Sequence, residues 1–180
     1  VEVLSLVRYA TGRQLRRLFW ADTEAGRRLG RHHLAKLTHL RVVSRLELRR
    51  GGVRSGSDGF VYAIDVVGQR LIARDSGSVR RPRTPGTAFL AHTLVITDLY
   101  VELTAAAREG HLELIGFVGE PEAWRTYNVG ARAVTLKPDA YAEWFDAEWH
   151  SNAFFEIDLG SEHPARLTAK SDQYVEYWRT

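Results

Sequence analysis

Three acidic side chains in the second half of the chain have the types and spacing for metal chemistry. Glu156 and Asp158 lie two residues apart in FFEIDLG, so on a strand they would point to the same side. Asp139 belongs to an earlier segment, KPDAY. Like charges beside apolar residues are costly unless a cation lies between them. Carboxylates suit Mg²⁺ or Mn²⁺, so the pattern predicts a metal site of Asp139, Glu156 and Asp158.

Periodicity predicts the elements that must position these acids. The elements are a helix over 87–110, strands over 111–120, 130–145 and 152–160, and a closing helix over 163–180. The long helix is apolar nearly all round, so we expect it to lie against a sheet. The segment 120–130 is predicted to be a loop whose Trp124, Arg125 and Tyr127 stack on a base or cover the sheet edge. If the last two strands are neighbours, the three acids converge.

The first half of the chain is strongly basic. Residues 1–83 carry 18 Lys or Arg against 7 Asp or Glu, whereas residues 84–180 carry 7 against 15. Helices are predicted to start at the N-caps Thr11 and Thr23, and two short strands then flank a loop rich in Gly, Ser and Arg. This order is typical of a winged helix-turn-helix, in which the second of the paired helices enters the major groove and the loop forms the wing.

Basic side chains on that second helix and on the wing are predicted to contact double-stranded DNA. Arginine contacts to phosphates would dominate the affinity and make it sensitive to salt. The alternative is that these side chains form an ordinary solvated surface, or that the winged helix binds protein. The predicted DNA-binding residues are Arg27, Arg28, Arg31, His32, Lys36, Arg49, Arg50 and Arg54.

A segment rich in Ser, Gly, Pro and Arg separates the two halves and lacks any apolar periodicity, so it is predicted to be a linker. The sequence therefore predicts an α+β protein. A winged helix-turn-helix domain covers 1–74, the linker covers 75–86, and a small domain of order αβββα covers 87–180.

Composition restricts the cellular setting. The chain has 180 residues and no cysteine, which excludes disulfides and thiolate metal sites and fits a reducing cytoplasm. The first residues lack the pattern of a signal peptide, and no apolar run reaches the about 20 residues that a membrane span needs. We therefore expect a cytoplasmic protein that does not bind membranes. A homodimer is left open beside a monomer.

KPDAY at 137–141 and EID at 156–158, in the predicted αβββα order, resemble the PD-(D/E)xK core of restriction endonucleases. The whole chain is similar to the replication-relaxation family, and it resembles plasmid relaxases that join a winged helix to such a core. ATGRQLRRLFW, GFVYAI, TLKPDAYAEW and FFEIDLGSE carry the likeness. The resemblance implies site-specific nicking of DNA at an origin, in plasmid or mobile-element replication or transfer.

The nuclease motif has a lysine where this chain has Asp158. In the family that lysine positions or polarises the attacking water, and arginine does not replace it easily because it does not deprotonate. The resemblance therefore implies that Lys170, on the closing helix, or Lys137, two residues before Asp139, supplies the amine. Tyr174 and Tyr177 of the closing helix are alternative nucleophiles, although an aromatic residue on an amphipathic helix is more often core.

Two functions follow from these patterns. The first is a DNA-binding endonuclease or nickase that uses Mg²⁺ or Mn²⁺. Its catalytic residues would be Asp139, Glu156, Asp158 and either Lys170 or Lys137. The second is a non-catalytic DNA-binding regulator or replication accessory protein with a degenerate nuclease fold, and the missing motif lysine favours it.

Overall fold

The computed structural model describes residues 1–49, 59–72, 79–160 and 163–180, with only the backbone given for Leu48 and Arg49. These residues form six helices and eight strands in small antiparallel sheets, which confirms the α+β class. They divide into two compact units, Val1–His111 and Leu112–Thr180. The sequence had placed the long helix after the linker in the second domain, whereas its contacts place it in the first unit.

The first unit contains a three-stranded antiparallel sheet of order β1-β3-β2 surrounded by helices. Its elements are α1 (Glu2–Val7), β1 (Ala10–Thr11), α2 (Gly12–Phe19), α3 (Glu24–His39), β2 (Val43–Arg49), β3 (Phe60–Ile64), α4 (Val66–Ile72) and α5 (Thr87–Arg108). Thr11 begins α2 with a capping box, because its hydroxyl accepts from the Gln14 amide and the Gln14 side chain accepts from the Thr11 amide. Thr23 caps α3 in a similar way through the Gly26 amide.

Helix α5 packs on the sheet of the first unit. Its Leu90 and Leu94 form a buried cluster with Leu46 of β2 and Val61 of β3. Thr97 donates a hydrogen bond to the Tyr9 carbonyl at 2.7 Å. The expectation that this helix lies against a sheet therefore holds, but the sheet is not the C-terminal one.

Helix α5 also corrects one expectation about membranes. Its 22 residues and a mean hydropathy of 1.3 make it long and apolar enough to cross a bilayer, which the sequence was expected not to allow. Core helices of globular proteins have the same length and composition. Leu90 and Leu94 of α5 are buried against β2 and β3, and 33% of the apolar stretch is buried in all.

The second unit contains a three-stranded antiparallel sheet of order β4-β7-β8 and a separate hairpin of β5 and β6. Its elements are β4 (Glu113–Gly119), β5 (Arg125–Val129), β6 (Arg132–Leu136), β7 (Ala140–Phe145), β8 (His150–Phe155) and α6 (Pro164–Trp178). Pro164 occupies the first turn of α6, as its sequence position predicted.

Two strand predictions in this unit were wrong. The expected loop at 120–130 contains β5, and the expected single strand at 130–145 is two strands, β6 and β7. Gly130 has a φ of 60°, a conformation open to glycine, and so permits the two-residue turn between β5 and β6. Pro138 cannot donate a ladder hydrogen bond, and it lies with Asp139 in the connection between β6 and β7.

The last strand also ends earlier than expected. It was predicted over 152–160, but β8 stops at Phe155, which pairs with Ala140, the first residue of β7. Beyond that pair β7 offers no further strand partner, because Pro138 and Asp139 belong to the connection. Glu156 and Asp158 therefore follow the strand instead of alternating along it.

Candidate functional site

The pairing of β7 with β8 brings Asp139 and Glu156 to the same end of the sheet. Asp139 immediately precedes β7, and its amide donates to the carbonyl of Phe155, the last residue of β8, at 3.0 Å. Its carboxylate in turn accepts from the Ile157 amide, with 2.7 Å between Oδ2 and N. These two bonds hold the Asp139 carboxylate beside the segment that carries Glu156.

Helix α6 supplies two partners for Glu156. Lys170 Nζ donates to Glu156 Oε2 at 2.8 Å, and the Tyr174 hydroxyl donates to Oε1 at 2.7 Å. Residues four apart on a helix share one face, so α6 presents both donors together. The side chains of Lys170 and Glu156 are 28% and 25% exposed, so solvent and a ligand can reach the site.

Tyr174 stays protonated in this site. Burial raises the pKa of its phenol, and the hydrogen bond to Glu156 and the negative charges of Glu156 and Asp139 raise it further. The phenol therefore acts as a hydrogen-bond donor to Glu156. A phenolate at Tyr174 would face two carboxylates, which does not favour the tyrosine nucleophile considered as an alternative.

Contrary to the prediction, Asp158 does not join Asp139 and Glu156. Its side chain is exposed, and Oδ1 accepts from the Gly160 amide at 2.9 Å in a local turn. Across the described ranges, no group of three or more acidic or histidine side chains could hold a metal ion. The predicted site of three carboxylates is therefore not formed, because the strand ends before the alternation that would have aligned Glu156 with Asp158.

The two candidate lysines have different surroundings. The Lys137 ammonium lies 4.7 Å from the centroid of the Trp124 ring, a cation–π contact in the hairpin region. Its expected alignment with Asp139 required a continuous strand, and Lys137 lies in the connection instead. Lys170 is the lysine that the structure brings to Glu156.

Asp139 and Glu156 are the two predicted metal ligands that remain at the same end of the sheet. Mg²⁺ is often bound by one or two carboxylates, with waters and substrate phosphates as its other ligands. Each carboxylate oxygen has two lone pairs, so the hydrogen bonds to Glu156 leave it with acceptor capacity. Binding of a cation there is a prediction that rests on these two side chains alone.

Five of the predicted DNA-binding side chains lie along α3. Arg28, Arg31, His32 and Lys36 are exposed, and Arg27 is partly exposed. Glu24 lies 3.6 Å from Arg27 Nε and 3.7 Å from Arg31 Nη2, so it neutralises part of this charge. Arg50 and Arg54 lie outside the described residues, as does the side chain of Arg49.

A groove of about 390 Å³ beside α3 adds basic residues that the sequence did not single out. Arg16 of α2 and Arg45 of β2 line it together with Arg27 and Arg31. The Arg45 guanidinium is 4.3 Å from the centroid of the Phe60 ring, which holds it against the sheet. The only signal in the sequence was the general excess of arginine in the first half.

Comparison with known proteins places the chain in a family. No curated protein and no solved structure matches it. A family model described as replication-relaxation matches residues 2–180, which confirms the resemblance stated from the motifs and associates the chain with plasmid or mobile-element replication or transfer. The chain therefore belongs to the replication-relaxation family.

Proposed function

We propose that this protein binds DNA through its first unit and nicks DNA at a site in its second unit with the help of Mg²⁺ or Mn²⁺. The observation that carries the proposal is the convergence of Asp139, Glu156 and Lys170 at one end of the β7–β8 pair. Two carboxylates and a lysine are the groups of a PD-(D/E)xK site, with the lysine here provided by α6.

The first unit supports the DNA-binding half of the proposal. Its order of helix, strand, helix, helix and two further strands, with the sheet order β1-β3-β2, supports the prediction of a winged helix-turn-helix. In that arrangement α3 is the recognition helix, and its exposed face carries Arg28, His32 and Lys36. Phosphate contacts by these side chains would position the duplex.

The residues of the second unit would divide the chemistry among them. Asp139 and Glu156 would hold the cation, which supplies an activated water and neutralises charge on the phosphate. Lys170 holds one oxygen of Glu156. Its positive charge would lie beside a phosphate bound at this cation. Tyr174 holds the other oxygen, so the Glu156 carboxylate keeps one orientation.

A non-catalytic role is the second candidate, and a specific observation favours it. Both oxygens of Glu156 already have a partner in Lys170 or Tyr174, and Asp158 does not supply a third carboxylate. A site satisfied in this way could serve only to dock α6 against the sheet. The protein would then regulate replication or assist it by binding DNA.

The two candidates are separated by incubating supercoiled plasmid that carries the cognate origin with the full chain. We expect open-circular product with Mg²⁺ or Mn²⁺, none with EDTA, and little with Asp139→Asn. A gel shift of the origin duplex in EDTA serves as the control, and it should be the same for the wild type and for Asp139→Asn. A normal gel shift without nicking in any divalent metal would establish the non-catalytic role instead.

A further inference from the structure

A cleft of about 700 Å³ opens beside Tyr174 in the second unit. Its walls come from the hairpin strand β5, from β7 and β8, and from α6. Aromatic rings dominate the lining and come from Tyr141, Phe154, Tyr174, Tyr177 and Trp178, and Arg125 and Arg179 add two guanidinium groups. This concentration of aromatic side chains in an accessible cleft is unlike the aliphatic core of a sheet–helix interface.

Phe154 holds the rings of the cleft together. Its centroid lies 5.2 Å from that of Tyr141, 5.8 Å from that of Tyr174 and 5.8 Å from that of Tyr177. Because β7, β8 and α6 all contribute to this group, its geometry is set by the fold before any ligand arrives. Trp178 differs from the others, since it is 87% exposed and offers an open indole face at the end of α6.

The cleft is also cationic at its edges. The Arg125 guanidinium lies 5.2 Å from the Tyr141 centroid and 5.6 Å from the Phe154 centroid, and Nη1 donates to the carbonyls of Glu122 and Trp124 at 3.0 Å each. Arg179 adds a second positive charge to the lining. Aromatic faces bordered by arginines match a nucleotide, which has a flat base and an anionic phosphate.

We propose that this cleft stacks an unpaired base of the DNA strand. The proposal rests on the proposed function and adds its substrate class, which is single-stranded or locally melted DNA. Tyr174 connects the two sites, because its ring lines the cleft and its hydroxyl donates to Glu156. A base in the cleft would therefore leave its neighbouring phosphate near the carboxylates. A base in an intact duplex cannot reach these rings without being unpaired.

The test measures binding of a fluorescein-labelled 12-nucleotide oligothymidine to the full chain in EDTA by anisotropy. We expect Trp178→Ala and Arg125→Gln each to weaken binding about 10-fold or more, in the range known for loss of a stacking partner. Trp149→Ala is the matched control, since Trp149 is also exposed, at 69%, but does not line the cleft. It should bind as the wild type does.

Two further probes distinguish stacking from attraction to the backbone. An oligonucleotide of the same length with abasic sites should bind the wild type weakly, and Trp178→Ala should lower its affinity little. The origin duplex should shift equally with wild type and Trp178→Ala. Equal binding of the abasic and thymidine strands, or an unchanged affinity of Trp178→Ala for the thymidine strand, would overturn the proposal.

These measurements are independent of catalysis because EDTA removes the cation. Asp139→Asn should bind the oligothymidine at least as tightly as the wild type does. If the protein does not nick DNA but still stacks bases, the proposed nicking activity is wrong and the cleft remains a base-binding site. If the protein nicks DNA but does not stack bases, only the proposal about the cleft is wrong.

Discussion

Lys170 Nζ lies 2.8 Å from Glu156 Oε2, so one ion pair joins the closing helix to the residue that follows β8. Neither side chain is fully exposed. Tyr174, one turn further along α6, donates a hydrogen bond to the other oxygen of Glu156. The structure thus brings a lysine of the closing helix to Glu156, and this lysine is the one proposed here to supply the amine that the motif lacks.

Replacing Lys170 by methionine should reduce nicking of the origin plasmid at least 100-fold, because the positive charge beside the phosphate is removed. Lys137→Met is the matched control, since it removes a lysine of the same unit whose ammonium lies over Trp124. It should retain nicking within about threefold, because no transition-state interaction is assigned to it. The reverse pattern would assign the amine to Lys137. Gel-based nicking rates at saturating Mg²⁺ make the comparison.

Tyr174 should not ionise over the range in which free tyrosines do. Its pKa is raised by burial and by the neighbouring Glu156 and Asp139, whereas a free phenol has a pKa of about 10. The rise in absorbance at 295 nm between about pH 9 and 11 should therefore be the same in wild type and Tyr174→Phe. A smaller rise in the variant would show that Tyr174 ionises normally.

The same shift has a consequence for stability. The folded state favours the neutral phenol of Tyr174, because its pKa is raised there. The stabilisation from this phenol is therefore complete below about pH 10. It is lost as the pH rises further, because Tyr174 then ionises in the unfolded chain but not in the folded one. Urea unfolding at several pH values should show that the wild type loses stability above about pH 10 more steeply than Tyr174→Phe. Parallel curves would contradict the buried, hydrogen-bonded phenol.

Side chains on α3 should control the salt dependence of duplex binding. Removing a phosphate contact lowers the slope of log K against log salt by about 0.9. We expect Arg28→Gln and Lys36→Gln each to produce a decrease near this value, measured by anisotropy across salt concentrations. Arg132→Gln on β6 serves as an exposed control in the other unit. An unchanged slope for both α3 variants would show that these side chains do not contact DNA phosphates.

Gln14 links α2 to α5 within the first unit. It is 3% exposed, and its amide nitrogen donates to the Leu94 carbonyl at 2.8 Å and to Asp98 Oδ1 at 2.6 Å. Gln14→Ala should lower the free energy of unfolding by about 1–3 kcal/mol, because the Leu94 carbonyl and Asp98 lose their donor and the Thr11 amide loses its acceptor. Arg13→Ala, on the exposed face of the same helix, should change it by less than about 0.5 kcal/mol. Equal effects would mean that Gln14 does not anchor α5.

Local signals in the sequence predicted the starts of helices well and the ends of strands poorly. Thr11 and Thr23 cap α2 and α3 because an N-cap is decided by a side chain within three residues. The end of β8 at Phe155 depends instead on its partner, since β7 begins at Ala140 after Pro138. A partner strand is not visible in the local pattern, so Asp158 was wrongly aligned with Glu156.

The candidate site was predictable in part for the same reason. The sequence predicted that Asp139 lies close to the segment of Glu156. This prediction needed only two consecutive strands to be neighbours in the sheet, which is common. The choice between Lys170 and Lys137 required the docking of α6 and the course of the chain between β6 and β7. Tyr174 was named as an aromatic of the helix, but only the structure shows its hydroxyl on Glu156.

The most direct test of the account compares Glu156→Gln with Glu143→Gln in Mg²⁺-dependent nicking of the origin plasmid. Glu143 is a matched control, because it is an acid of the same sheet whose carboxylate contacts His150 at 2.6 Å. We predict that Glu156→Gln loses nicking at least 100-fold while Glu143→Gln retains it, with equal binding of the origin duplex. Nicking by Glu156→Gln at the wild-type rate would contradict the assignment of the site.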